Sequence, residues 1–280
     1  MNSRWNMKST VKAIAAGALL AGSSLAMAAN LPTGVQLHAS QEMVRNNGSE
    51  PDTLDPALAE GVPANNIIRE LFEGLTATDG TGKVVPGVAE SWKQVDPKTW
   101  VFKLRNNAKW SNGDGISAAD FIYSMRRFVD PKTASEYAST FGIFILNGKE
   151  ITAGKLPVTE LGVKALDAYT LEIKTPFPVG FMPDLVSNLQ LGPVHKATVE
   201  KFGKEWTKPA NIVGNGAFSL KDWQVNSKIV LSKSPSYWDN KNVQLTQVTY
   251  LAVEEGNADV KLYESGENDW VYQLPPGSYD

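Results

Sequence analysis

The 280-residue chain contains no cysteine and only two histidines, His38 and His195. Without cysteine there is no disulfide framework and no thiol through which a lipid could be attached at the N-terminus. Neither histidine has a carboxylate or cysteine at metal-ligand spacing, so both read as surface or packing residues, and no metal or other cofactor is expected. No serine sits in a nucleophile elbow, and the Ser-His-Asp order cannot be assembled from the sequence. After residue 28 no apolar run approaches the length that spans a bilayer, so the rest of the chain is not expected to cross a membrane. An excess of basic residues is also missing: 27 Lys and Arg face 30 Asp and Glu, which argues against a nucleic-acid surface.

What is present begins with Arg4, Lys8 and Lys12, followed by an apolar run from Ala13 to Leu25 and then Ala26, Met27 and Ala28. A basic head, a short apolar middle and a small-x-small exit predict a cleavable secretory signal over residues 1–28, cut after Ala28. Its removal takes away three basic residues and no acidic one, leaving 24 against 30 and a net charge of −6 over 252 residues. Export without disulfides suits a Gram-negative periplasm. A chain of this size buries a substantial core as one large domain or two smaller ones.

The stretch at residues 45–63, RNNGSEPDTLDPALAEGVP, places turn formers and Asp55-Pro56 just before an apolar-periodic segment, a position that faces a cleft. Ile67, Ile68, Leu71, Phe72 and Leu75 share one helical face, which predicts a helix over residues 64–74. Trp100, Phe102 and Leu104 alternate as a strand. Ser117 with Asp120 three residues on resembles a capping box, and Phe121, Ile122, Met125 and Phe128 supply the apolar face of a second helix. Tyr169, Leu171 and Ile173 alternate as another strand, as do Ile229 and Leu231. Helical segments are expected near residues 194–202 and 254–265, and Asp269 to Tyr272 reads as a last strand.

The reading is therefore α/β, in the sense of mixed α and β. Four prolines and two glycines between Thr175 and Pro193 suit a crossing between substructures, and a second crossing is expected near Gly74 to Asp79. Residues 76–190 would then be inserted into a unit built from residues 29–75 and 191–280.

Other chemistry is thin. Gly214-Asn215-Gly216-Ala217 lacks the third glycine of a dinucleotide loop and reads as a turn. Glu254 and Glu255 are adjacent, so on a helix they point apart and read as a solvated helix start. The eight tryptophans would suit stacking on sugar rings, but Trp92, Trp100 and Trp110 are explained more simply as core aromatics.

Taken in order, Arg45 to Pro63, Arg69 to Leu75, Pro86 to Trp92, the Trp100 strand, Ala108 to Gly113, Phe121 to Ser124, Asp130 to Ala138, Pro209 to Val213, Asn215 to Phe218 and Tyr237 to Asp239 resemble the peptide/nickel class of extracytoplasmic solute-binding proteins that feed ABC importers, above all the periplasmic oligopeptide-binding proteins. The resemblance spans essentially everything after the signal. It implies a two-lobed carrier, of which this chain would supply one lobe with two subdomains while the second lobe is missing, a C-terminal truncation. It implies an oligopeptide ligand, held through its backbone by strand addition, and an inner-membrane ABC permease complex as partner. It does not imply an enzyme. The ligand-facing positions that it carries over are Glu60, Gly61 and Val62 as a pairing stretch, Tyr137 beside the peptide's amino end, and Tyr272 and Gln273 as a second strand. The carboxylate that pairs with the free amine would lie in the other lobe, so weak or absent peptide binding is expected of this chain alone. Two further readings stay open: the same fold carrying murein peptides, a metal chelate or oligosaccharides, and a secreted glycan-processing enzyme motivated by the tryptophans.

Overall fold

A computed structural model describes residues 37–277. The expected signal at residues 1–28 lies outside the described residues. Two four-stranded sheets carry the architecture. The first has strand order β1-β10-β9-β8, from β1 (Glu42–Asn46), β8 (Phe218–Gln224), β9 (Lys228–Lys233) and β10 (Gln247–Leu251). β1 runs parallel to β10 and the other pairs are antiparallel. The second, wholly antiparallel, has order β4-β5-β7-β6, from β4 (Ala89–Asp96), β5 (Thr99–Leu104), β6 (Val163–Asp167) and β7 (Thr170–Lys174). A two-stranded ribbon, β2 (Thr76–Thr78) with β3 (Val84–Pro86), lies between them in sequence.

Each large sheet has its own apolar cluster. Phe102, Trp110, Phe121, Met125, Phe128, Leu171 and Ile173 belong to the cluster of the second sheet. Leu54, Ile67, Ile68, Leu71, Trp206, Leu231 and Tyr250 belong to that of the first. The chain passes from one cluster to the other between Phe72 and Leu75, and the two interleave again at Leu189, Leu191 and Val194. Trp100 and Trp110 are buried and Trp92 packs against the same cluster, as the core reading of these aromatics requires.

Helix α1 (Gly61–Leu71) buries Ala64, Ile67, Ile68 and Leu71 on one face. It begins three residues earlier than the periodicity predicts, because Gly61 turns the chain out of extended Glu60 (φ −122°, ψ 155°) with φ +72°, a conformation open to glycine at little cost. It also ends earlier, at Leu71. The Gly214-Asn215-Gly216 turn closes that end: the amides of Asn215 and Gly216 donate to the Leu71 carbonyl at 3.1 and 2.9 Å. A Cβ at Gly216 would lie 2.3 Å from the Glu70 carbonyl oxygen, so the two glycines allow backbone to pack on backbone. Helix α2 (Ala118–Val129) starts at the expected capping box, with the Asp120 carboxylate accepting from the Ser117 amide at 2.8 Å and from its hydroxyl at 3.0 Å. Later helices span Lys196–Phe202 and Gly256–Ser265. The expected last strand is reduced to one parallel bridge between Arg45 and Trp270. The Asp269 side chain accepts the Val44 amide at 2.8 Å, so a side chain occupies part of the edge that a strand would have paired. Among the described residues no helix is long and apolar enough to cross a membrane.

Candidate functional site

The first turn of α1 stands between two hollows. One, of about 430 Å³, is lined by Gly61, Val62, Asn65, Asn66, Arg69, Tyr137, Phe141, Asn188 and Gln190. The other, of about 500 Å³, is lined on one side by Asn46, Gly48 and Pro63 and on the other by Glu254, Glu255, Asp259, Tyr272 and Gln273. The positions singled out in the sequence are thus divided: Gly61, Val62 and Tyr137 share the first hollow, Tyr272 and Gln273 share the second, and Glu60 lines neither.

The segment at Glu60 to Val62 is open, with Val62 56% exposed and the other two residues exposed as well. It is not a strand, however. Only Glu60 is extended, and Gly61 and Val62 form the first turn of α1, so the expected pairing stretch is corrected to one extended residue followed by a helix start. That start has no side-chain cap, and among the described residues the amides of Gly61 and Val62 have no hydrogen-bond acceptor. Pro63 has no N–H to satisfy. Uncapped donors at a helix N-terminus favour carbonyl or anionic oxygen.

Tyr137 lies just beyond α2 and stacks on Phe141 with centroids 5.8 Å apart and planes 19° apart. Tyr272 is placed from two sides. Its amide donates to Asp259 Oδ2 at 2.8 Å, and the other oxygen of that buried carboxylate accepts from Asn268 Nδ2 at 2.6 Å. Its ring lies over Gly48 (φ +80°), where an added Cβ would sit 2.8 Å from Cε1.

The two hollows differ in charge. Glu254, Glu255 and Asp259 line the larger one, with no basic residue among its lining. Glu255 caps the helix behind it, accepting from the amides of Asn257 and Ala258 at 3.0 and 2.8 Å, which hold its carboxyl below the usual range. The smaller hollow has Arg69 and no carboxylate. The acids next to Arg69 in sequence are engaged elsewhere. Glu73 accepts from the Tyr237 hydroxyl at 2.6 Å and from Trp238 Nε1 at 2.7 Å, and burial pushes its carboxyl up to about 7 against the pull of those bonds and of Arg105. Glu70 is also raised by burial, offset in part by the Arg45 charge.

Sequence reasoning missed Asn65, Asn66 and Arg69, although their place on the polar face of a periodic helix was a usable signal. It also missed Asn46 and Asn47. Both are buried: Asn46 donates to the Val253 carbonyl at 2.8 Å, and Asn47 donates to that of Pro63 at 3.0 Å and accepts from Asn66 at 3.0 Å. His195, read as a packing or surface residue, has a carboxylate beside it in space, Asp114 Oδ2 at 3.1 Å from Nε2, with Thr198 Oγ1 2.6 Å from Nδ1. No cluster of metal-ligating side chains occurs among the described residues.

Comparison with known proteins gives a consistent picture. Residues 83–280 match the family of bacterial extracellular solute-binding proteins, family 5 (middle region). The periplasmic oligopeptide-binding protein OppA of Salmonella typhimurium is 51% identical over 267 residues, which cover 94% of this chain and 49% of that protein. The periplasmic murein peptide-binding protein MppA of Escherichia coli is 43% identical over 98% of this chain and 51% of its own length. The crystal structure of Haemophilus influenzae OppA in complex with RPPGFSPFR superposes with a TM-score of 0.84 at 43% identity, over 87% of this chain and 48% of that one. The chain therefore spans about half the length of the relatives it matches.

Proposed function

The chain belongs to the family-5 bacterial extracellular solute-binding proteins, and on that premise we propose that it forms the lobe of a periplasmic carrier that meets an oligopeptide through its backbone, for delivery to an inner-membrane ABC permease. Residues 29–75 with 191–280 would form one subdomain of that lobe and residues 76–190 the other. The carrying observation is the open start of α1, where extended Glu60 leads into Gly61 and Val62, whose amides have no acceptor among the described residues and which line one hollow together with Tyr137. A carrier of varied peptides must hold what all peptides share, and main-chain donors and acceptors do so without reading side chains. The guest would pair with Glu60 and set a carbonyl against the helix-start donors, while Tyr272 and Gln273 flank it from the second hollow. The family and the relatives reported above are binding proteins by name, and no turnover is expected of this site.

The identity to a murein peptide-binding protein supports a second reading with the same geometry, in which the carried peptide derives from the cell wall. A thermal-shift series separates the two. Tri- and tetrapeptides of unrelated sequence should each raise the unfolding midpoint at millimolar concentration, whereas a response to murein tripeptide alone would favour the second. A response to oligosaccharides and to no peptide would overturn both.

A further inference from the structure

Asp55 is 3% exposed, yet it carries a carboxylate in the loop that leads straight into Glu60. Its two oxygens accept from both terminal nitrogens of Arg127, Nη1 to Oδ1 at 2.9 Å and Nη2 to Oδ2 at 2.5 Å. Oδ2 also accepts from Trp206 Nε1 at 3.0 Å, and Oδ1 from the Ala57 amide at 3.0 Å. The Asp55 carbonyl accepts from the amides of Leu58 and Ala59. One residue thus fixes its own turn and ties it to α2 and to Trp206.

The neighbours show what this tie connects. Leu54 and Ala59 pack in the cluster of the first sheet, and Ala57 between them packs in that of the second. Arg127 lies on α2, whose apolar face belongs to the second cluster, and Tyr137 follows α2 and packs on that same cluster. Trp206 belongs to the first. Gly61 and Val62 therefore reach the smaller hollow from one body and Tyr137 from the other, and Asp55 is bonded to both.

From this geometry we infer that the Asp55–Arg127–Trp206 cluster is a positioning device for ligand binding, setting Gly61 and Val62 in register with Tyr137 across the hollow; the inference rests on the proposed peptide site. A buried charge pair is a costly way to gain stability alone, since well-packed apolar residues of similar size often replace one without loss. What it adds is direction: a bidentate guanidinium accepts a carboxylate in one plane and at one distance.

The test uses the single variant Arg127→Met and the apolar double variant Asp55→Leu with Arg127→Met, each beside the wild-type chain. Two readouts are taken, the amide spectrum of labelled protein and the affinity for trialanine by titration. The double variant should regain most of the wild-type unfolding midpoint while the Gly61, Val62 and Tyr137 amide resonances shift and trialanine affinity falls at least tenfold. A double variant with those resonances unmoved, or with trialanine affinity within threefold of wild type, would overturn the positioning role. Should the wild-type chain itself not respond to trialanine, as expected of one lobe alone, the amide spectrum decides, and unmoved Gly61, Val62 and Tyr137 resonances in the double variant overturn the positioning role.

Discussion

Both ends of α1 are tied down by an enclosed carboxylate, and the two are partnered differently. Asp55, before the helix, faces a guanidinium in bidentate contact and an indole N–H. Glu73, just after it, faces two neutral donors, Tyr237 and Trp238. The Arg105 guanidinium lies over that indole, 3.7 Å from the Trp238 ring centroid. Arg105, just past β5, donates to the Gly87 carbonyl at 2.8 Å. The lesson concerns charge. Where a counter-charge is in direct contact, a buried acid is held as a rigid ion-pair joint; where only neutral donors reach it, desolvation dominates and the joint responds to pH.

The largest effect should come from breaking the first joint. Arg127→Met leaves Asp55 buried without its counter-charge, which should cost about 3–5 kcal/mol in urea unfolding. A loss below about 1 kcal/mol would show that the pair is solvated and not a joint.

The second joint sharpens the comparison through pH. A carboxyl whose folded pKa lies above its unfolded value binds its proton more tightly when folded. The stability contributed by Glu73 is therefore fully present below its ordinary value of 4.5 and is lost as the pH rises through about 7. The difference is on the order of 3 kcal/mol. Urea unfolding at intervals from pH 4.5 to 8 should show that decline in the wild type and a flatter profile in Glu73→Gln. Equal slopes in the two proteins would remove Glu73 as the source.

Between the joints, Gly61→Ala asks whether the helix start depends on left-handed backbone. The nearest atom to an added Cβ is Pro63 Cδ at 3.7 Å, so there is room and only the φ of +72° resists. A loss of about 1–2 kcal/mol in the unfolding free energy is expected, and no loss would mean that the chain enters α1 by another path.

The smallest effect concerns Arg69. An acidic side chain placed in the smaller hollow should gain at most about fivefold in affinity over its amide counterpart, the worth of an exposed ion pair, and that preference should vanish in Arg69→Gln. Titration with Ala-Glu-Ala and Ala-Gln-Ala reads it, and equal affinities for the wild type would exclude Arg69 from contact.

The elements that read well from sequence are those whose own periodicity decides them. The β5 alternation, the α2 capping box and the apolar face of α1 depend on residues a few positions apart. Boundaries read less well: the turn at Gly61 is set by one backbone angle, and the segment at Asp269 to Tyr272 keeps a single bridge because Asp269 itself meets Val44. Of the proposed site, Gly61, Val62 and Tyr137 were named through family resemblance and not through chemistry. Its supports were not legible, because the contacts join positions far apart in the chain. Asp55 meets Arg127 and Trp206, 72 and 151 residues away, and Asp259 holds Tyr272 from a helix whose sequence reads as ordinary. Asn46 and Asn47 look like loop punctuation until burial shows their amides bridging β1 to Pro63 and Val253.

The most direct test of backbone recognition at the start of α1 is an amide-shift titration of the labelled chain with two chemically unlike peptides, trialanine and trilysine. Both should move the Gly61, Val62 and Tyr137 resonances along similar paths, with Tyr272 and Gln273 following. Shifts confined to other residues, or seen at this site for one peptide and not the other, would contradict the account.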